Sequence, residues 1–565
     1  MRNTVRHCFR WLHRGSPFVW LTSGAVSISL LSVLFLILMI GSKGLAYFWP
    51  APIYEWPIKT LNQEQRDNMA LSSRIIGQIY ATQDVRNQRI AEPLRQRLAL
   101  PSEGKSERLV IKIANREHHQ SDFVSILTSQ LGTRQSPEDL VVLKRKQGGD
   151  FFGRLVGLQT NNHTFYTHLP SHLDEALGNI ALLERKSREL VEKKIKPLDR
   201  ELASVHRQEA ALPANQENMS PASGLIWQKK RTIHAQLSEY HQQLDRIKQD
   251  QMQYQVIVID SSDRRLSLPL NLVEQYWFPN AMTWEEKIRH WLYGVAHFIV
   301  DDPRESNSEG GIFPAIFGTV LLVILMSVIV MPLGVIAAVY LNEYSNNNVF
   351  TRLIRISVVN LAGVPSIVYG VFGLGFFVYT LGGNIDRLFY ADSLPAPTFG
   401  TPGILWSALT LALLTLPVVI VTTEEGLTRI PQSVRHGSLA LGATQFETLS
   451  RVVLPMATPA MLTGLILAIA RAAGEVAPLM LVGVVKLSSN LPVDGQFPYL
   501  HLDRKFMHLG FHIYDVGFQT TNIEAARPLV YATSLLLVVI IVLLNLTAIR
   551  IRNNLREKYR ILEHD

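Results

Sequence analysis

Six stretches of this chain are apolar over about 20 residues or more: Val19–Ile40, Ile312–Leu341, Ile356–Leu381, Ile404–Thr423, Met461–Val485 and Leu529–Ile549. About 20 helical residues cross a ~30 Å hydrocarbon core, and there every backbone polar group must be satisfied within the segment. The expected fold class is therefore an α-helical integral membrane protein with six transmembrane helices. The first run exceeds the roughly 7–15 residues of a signal-peptide core, and no small-residue cleavage site follows it, so residues 19–40 are expected to persist as transmembrane helix 1.

Charge sets the expected orientation. Arg2, Arg6, Arg10 and Arg14 precede the first span, and Arg550, Arg552, Arg556, Lys558 and Arg560 follow the last. The positive-inside bias then makes residues 1–18 and the tail 550–565 cytoplasmic. Alternation places 342–355 and 424–458 inside, and 41–311, 382–403 and 486–528 outside. Arg352, Arg355, Arg429, Arg435 and Arg451 fit this; Lys486, Arg504, Lys505 and Arg527 fit it less well and are offset by Asp494, Asp503, Asp515 and Glu524. The net charge of +8 is thus accounted for by topology and anionic membrane lipids, with no nucleic acid partner expected. The single cysteine, Cys8, excludes a disulfide within the chain and is compatible with an external domain in a bacterial periplasm.

Residues 41–311 are long enough for a domain with its own core. Leu109–Ile113, Leu140–Leu143 and Gln255–Asp260 read as strands. Val191, Ile195, Leu198, Leu202 and Val205, and then Ile233, Leu237, Tyr240, Leu244 and Ile247, repeat with heptad spacing. Pro213, Asn215, Pro221 and Gly224 between them would turn the chain, which predicts a mixed α/β periplasmic domain with a helical hairpin at about 174–252; a dimerisation coiled coil is the alternative. Pro197 predicts a kink or break. Trp284, Ile288, Trp291, Leu292, Val295, Phe298 and Ile299 share one helical face, suited to a membrane interface or to packing on the external domain. Asp301–Gly311 reads as a linker into the membrane domain.

Enzyme chemistry is not found. Gly104-Lys105-Ser106 has the end of a phosphate-binding loop, but Ala99 replaces its first glycine. His118-His119 has no partner at metal-ligand spacing. Asn162-His163-Thr164 is a glycosylation sequon of little weight here. No catalytic residue, cofactor or metal site is expected.

The fifth apolar stretch carries Arg471 and Glu475. A charge at the bilayer centre costs about 3 kcal/mol on insertion scales, and an i,i+4 spacing lets the two side chains shield one another on a helix face. Such a pair reads as a pathway or gate for a polar solute, with a structural ion pair between helices as the alternative.

Between the fourth and fifth spans, Arg435 to Pro455 resembles the EAA loop of ABC importer permeases: Gly442 takes the glycine, Val452 the isoleucine, and Leu454-Pro455 matches, whereas His436-Gly437-Ser438 replaces Glu-Ala-Ala. The strings Gly318–Tyr344, Val364–Val378, Leu414–Arg435 and Arg471–Gly483 are similar to the A-type permease subunit of the bacterial Pst phosphate importer. The resemblance spans roughly Phe313 to Ile549 and implies the type I ABC importer permease fold over residues 312–549, with five helices and a coupling loop at about 424–458. It implies a permease subunit of an ATP-driven inorganic phosphate importer, in the bacterial inner membrane, hydrolysing nothing itself. Its implied partners are a C-type permease in a heterodimer, two copies of a cytoplasmic ATPase, a periplasmic phosphate-binding protein and inorganic phosphate. Arg471 would attract the phosphate oxyanion and Glu475 would neutralise Arg471 between transport events. Leu441, Gly442, Ala443, Phe446, Glu447, Leu454 and Pro455 would couple to the ATPase. Pro365, Ser366 and Tyr369 are weaker candidates for the passage. A permease for sulfate or molybdate, or a membrane-anchored periplasmic sensor or scaffold, are the rival readings.

Overall fold

The computed structural model describes residues 16–59, 74–98, 100–101, 103–114, 123–160, 163–210, 221–261, 263–304, 309–346, 348–391, 396–488, 490–495, 497–520 and 523–561. Cys8, the arginines at 2, 6, 10 and 14, Ala99, His118-His119, Asn162, Pro213 and Asn215 lie outside the described residues. The chain divides into a unit formed by residues 49–293 and a second formed by 1–48 with 294–565.

The first unit is built on antiparallel sheets. Strands β1 (Tyr54–Pro57), β2 (Arg74–Arg86), β3 (Lys105–Lys112) and β4 (Phe123–Leu127) form one, in that order. The other comprises β5 (Leu140–Arg145), β6 (Phe151–Gln159), β7 (Thr164–Phe165), β8 (Gln255–Ile259), β9 (Arg265–Pro269) and β10 (Val273–Trp277), ordered β10-β5-β6-β8-β9 with β7 on β6. Side chains alternate across a strand. In β5, Val141 and Leu143 therefore enter one core and Leu140 and Val142 another, which is why its sequence is an unbroken apolar run. On β8 only Val256 and Val258 are buried. Helix Leu169–Leu190 covers the second sheet with Leu173, Ala176 and Ile180.

The chain continues from that helix through a π turn, Val191–Ile195, into Lys196–Ala210; helix Pro221–Met252 follows. Ile195, Val205, Ile233 and Leu237 form their shared core, and Lys230 pairs with Glu209 at 2.9 Å. Pro197 does not break the helix. The wider turn just before it accommodates the proline ring and its missing N–H.

Among the described residues of the second unit, six helices are long and apolar enough to cross a membrane: Phe18–Ala46, Phe313–Tyr344, Ser366–Phe389, Ile404–Thr428, Gln445–Ala472 and Ala526–Leu555. Ile404–Thr428 is the hub, with two thirds of its most apolar window buried (67 %), against Phe313–Val339 on one side and Leu454–Ala472 on the other. Two of its buried hydroxyls are satisfied locally, Thr410 donating to the Trp406 carbonyl at 2.7 Å and Thr415 to that of Leu411 at 2.9 Å, while those of Ser407 and Thr423 have no hydrogen-bond partner among the described residues.

Two expected spans differ. The block Ile356–Leu381 is not one helix: Val349–Leu361, capped by the Asn348 side chain on the Thr351 N–H at 2.9 Å, stops before Pro365, and a new helix starts at Ser366. Proline disfavours helical backbone at the residue before it, and apolar periodicity alone does not register that. The block Met461–Val485 is also interrupted, with helix ending at Ala472 and restarting at Ala477.

Glu55 on β1 is buried and receives hydrogen bonds from Arg74 at 2.9 Å and Arg154 at 2.7 Å, tying β1 to β2 and to β6. Burial raises the Glu55 carboxyl pKa, but the two guanidinium hydrogen bonds and charges outweigh it and hold it below the usual glutamate range. Folded Glu55 thus binds its proton less readily than unfolded Glu55. Its contribution is complete above the unfolded glutamate pKa and is lost as pH falls through the lowered folded value. Glu55→Gln is expected to cost about 2 kcal/mol, because two partly buried guanidinium groups each lose one charged partner, although Arg74 keeps Asp263 at 2.8 Å and Arg154 keeps Asp139 at 2.7 Å. It should also flatten the loss of stability below pH ~4.5, as read by limited proteolysis of the sheet-containing unit in the full chain.

Candidate functional site

Arg471 occupies the last turn of helix Leu454–Ala472, while Glu475 lies outside it. The two do not share a continuous helix face as i,i+4 neighbours. Residues 473–476 form a turn: the Gly474 N–H bonds the Arg471 carbonyl and the Glu475 N–H that of Ala472, each at 3.2 Å. The next helix, Ala477–Val482, opens with Pro478, whose lack of an N–H suits a helix start and not a helix interior. Across this break Arg471 Nε stands 3.5 Å from a Glu475 carboxylate oxygen, with side chains 32 % and 21 % exposed. Both groups are therefore paired and reachable.

The break is packed from behind. Gly370 allows helix Ser366–Phe372 to approach Ala477–Val482 closely; a methyl there would stand 2.7 Å from the Cα of Pro478. Tyr369 lies in the core with Ala468, Ala472 and Leu479, and its hydroxyl donates to the Leu361 carbonyl at 2.7 Å, which makes it a packing residue; Pro365 caps the start of that helix.

The predicted coupling residues surround a helix–turn–helix corner whose rigidity follows from its sequence. Helix Gln432–Ala440 ends with Gly442 at φ +91°, a conformation glycine adopts without Cβ strain. The Gly442 N–H bonds the Leu439 carbonyl at 3.0 Å and the Ala443 N–H that of Ser438 at 3.3 Å, the paired bonds of a Schellman stop. One residue later Thr444 starts the next helix in a capping box: its hydroxyl accepts from the Glu447 N–H at 3.2 Å and its own N–H donates to the Glu447 carboxylate at 3.0 Å. Ser438 and Thr448 hydroxyls, 2.9 Å apart, join the two helices. Leu441 and Phe446 are left 90 % and 70 % exposed, two apolar knobs on a braced turn. Glu447 is thus held as a cap. Leu454 packs into the core beneath, and Pro455 falls in the first turn of the following helix, after a π turn at Leu449–Val453.

Two cross-links escaped the sequence reading. Arg435 donates to Glu343 and to the Leu427 carbonyl, at 2.9 and 2.8 Å, and Arg355 pairs with Glu424 at 2.8 Å. These bind the corner's first helix and helix Val349–Leu361 to the ends of the long helices. They join residues 92 and 69 positions apart, a separation at which local pattern carries no signal. Among the described residues no cluster of three metal-ligating side chains occurs.

The family model for the inner membrane component of binding-protein-dependent transport systems matches residues 330–561. The chain is 34 % identical over 244 residues to the phosphate transport system permease protein PstA 1 of Mycobacterium tuberculosis, covering 43 % of this chain and 71 % of that protein. It is 32 % identical over 254 residues to the phosphate transport system permease protein PstA of Yersinia pestis, covering 45 % and 76 %. With the probable ABC transporter permease protein YqgI of Bacillus subtilis it shares 32 % over 256 residues, covering 44 % and 81 %. Among solved structures, an inward-facing MetNI methionine ABC transporter chain is similar at 19 % identity with a TM-score of 0.31, covering 43 % of this chain and 94 % of that one.

Gly442→Ala forces an L side chain into the left-handed region at a cost of about 1 kcal/mol, although open space surrounds the position. Hydrogen exchange at Leu441 and Ala443 is expected to speed up by several-fold, with Gly442→Asn intermediate.

Proposed function

Because the chain belongs to the PstA family of phosphate transport permeases, we propose that Arg471 and Glu475 are the charged pair of its phosphate passage. It is a permease subunit of a phosphate ABC importer, a multi-pass inner membrane protein that works with an ATPase and a substrate-binding protein. ATP is hydrolysed in the separate ATPase subunit.

The observation that carries the proposal is the helix break that presents Arg471 and Glu475 to one another and to solvent. A guanidinium remains charged and offers forked donors that fit phosphate oxygens. Left alone it would hold the anion too firmly for turnover. Glu475 at 3.5 Å supplies the competing acceptor, so phosphate displaces a carboxylate on entry and is displaced by it on release. The break also frees backbone groups, which is tolerated at membrane depth only where they face protein or a water-filled path.

In this reading the subunit has the type I permease fold and pairs with a C-type phosphate permease above two ATPase copies. The corner centred on Gly442 docks in an ATPase cleft through Leu441, Ala443 and Phe446, with Glu447, Leu454 and Pro455 as its bracing. Both termini are cytoplasmic, as the flanking arginines favour, and residues 41–311 form a periplasmic domain whose helices at about 174–252 make an antiparallel hairpin.

Arg471→Gln removes the fixed charge and leaves an amide of similar reach. In a strain lacking this chain, wild type is expected to restore labelled-phosphate uptake at low external phosphate. Arg471→Gln at matched membrane levels should lower it by at least on the order of 100-fold, the ~3 kcal/mol scale of a charge-assisted contact. Sulfate and molybdate uptake, measured alongside, should not respond to either. Undiminished phosphate uptake by the variant would remove Arg471 from the passage.

A further inference from the structure

A second charged pair involves the segment that follows the passage's short helix. After Ala477–Val482 the chain pairs with residues near 506: the Val485 N–H bonds the Phe506 carbonyl at 3.0 Å and the Phe506 N–H that of Gly483 at 3.3 Å. Lys486, the next residue, places its ammonium 3.2 Å from the carboxylate of Asp515. Asp515 follows helix Leu509–Tyr514, is 0 % exposed, and neither of its oxygens is hydrogen-bonded among the described residues.

That helix sits directly on the break. Gly510, in its first turn, is so close to Val476 that a methyl would stand 2.5 Å from the valine side chain, and Val476 adjoins Glu475. His508 caps the helix, accepting from the Gly510 N–H at 3.1 Å. His508, His512 and Asp515 recur at helical spacing, and both histidines are buried. Burial holds the His508 imidazole down at about 4; burial, then the Lys486 charge, does the same to His512. Both are neutral at ordinary pH, and among the described residues the cation paired with Asp515 is the Lys486 ammonium.

We propose that Asp515 and Lys486 are positioning residues for transport: the buried carboxylate grips Lys486 and so latches the segment behind helix Ala477–Val482, setting how readily the passage opens at Arg471 and Glu475. The latch rests on the reading that this pair lines the passage. An ionised carboxylate stripped of water and of its counter-ion costs several kcal/mol, so Lys486 leaves Asp515 only when the cycle moves the whole segment. The pair biases a two-state element at its hinge. Weakening it raises the share of complexes that cycle without a loaded binding protein.

The test uses the assembled complex of this chain with its permease partner and ATPase in proteoliposomes, reading ATP hydrolysis per complex without binding protein. Asp515→Asn and Lys486→Gln are each expected to raise this resting hydrolysis on the order of tenfold, the double variant no further than either single one, and Lys486→Arg to stay near wild type. Lys486→Gln strands the buried Asp515 carboxylate, whereas Asp515→Asn leaves only the partly exposed lysine unpaired, so Asp515→Asn carries the test if Lys486→Gln fails to assemble. Resting hydrolysis unchanged in either variant once assembled, or effects of the two variants that add, would overturn the latch. Arg471→Gln run in parallel separates the two readings: normal uptake there rejects the passage assignment, whatever the resting hydrolysis of the latch variants.

Discussion

Arg471 and Glu475 can lie in an apolar segment because the chain gives each the other and gives both an interruption of the helix. A continuous helix would have carried the pair around its own surface at about 3 kcal/mol per charge. The stop at Ala472 and the restart at Ala477 place it at the end of a rod instead. That rod, Gln445–Ala472, begins at the corner formed by Gly442 and Thr444. At 1.5 Å per residue its two ends are roughly 40 Å apart. In the proposed coupling, a corner braced by a Schellman stop and a capping box would pass displacement into the rod without absorbing it in the loop. The charged break at the far end is where that proposal has such displacement change a polar contact.

The neighbouring helices serve this arrangement. Ile404–Thr428 meets the rod along its buried face, and its Thr410 and Thr415 hydroxyls return to its own carbonyls, so these two ask for no polar partner across the contact. Arg435–Glu343 and Arg355–Glu424 tie the corner and the helix before Pro365 to the long helices. Of the four charges in the last inter-span segment that fit the positive-inside pattern poorly, two are paired in place: Arg504 with Asp494 at 2.7 Å and Lys486 with Asp515.

Much of the fold was legible from residue pattern. Each apolar block overlaps one of the six long helices, and the β-type runs at 109–113, 140–143 and 255–260 fall in strands except for their ends Ile113 and Asp260, because those signals are local and strong. Strands β1, β2, β4, β6, β7, β9 and β10 were missed: in β2, Arg74–Arg86 mixes Gly77, Gln78 and Asp84 into its run, and its pairing with β3 supplies what propensity does not. The glycine corner was readable because Gly442 and Thr444-x-x-Glu447 are short-range grammar. The broken fifth and third blocks were harder, since Gly474-Pro478 and Pro365 sit in runs whose hydropathy barely changes. Asp515 gave no signal at all. An aspartate in a predicted external loop looks solvated, and only the tertiary contact with Lys486 reveals it as buried.

The exchangeable-pair mechanism makes its sharpest demand on Glu475, the competitor for the arginine. Equilibrium binding of labelled phosphate to the solubilised permease–ATPase complex, without binding protein, compares wild type with Glu475→Gln. The mechanism predicts tighter phosphate binding in the variant, on the order of tenfold for the removal of a competing ion-pair partner. Binding left unchanged or weakened in a fully assembled Glu475→Gln complex would contradict it.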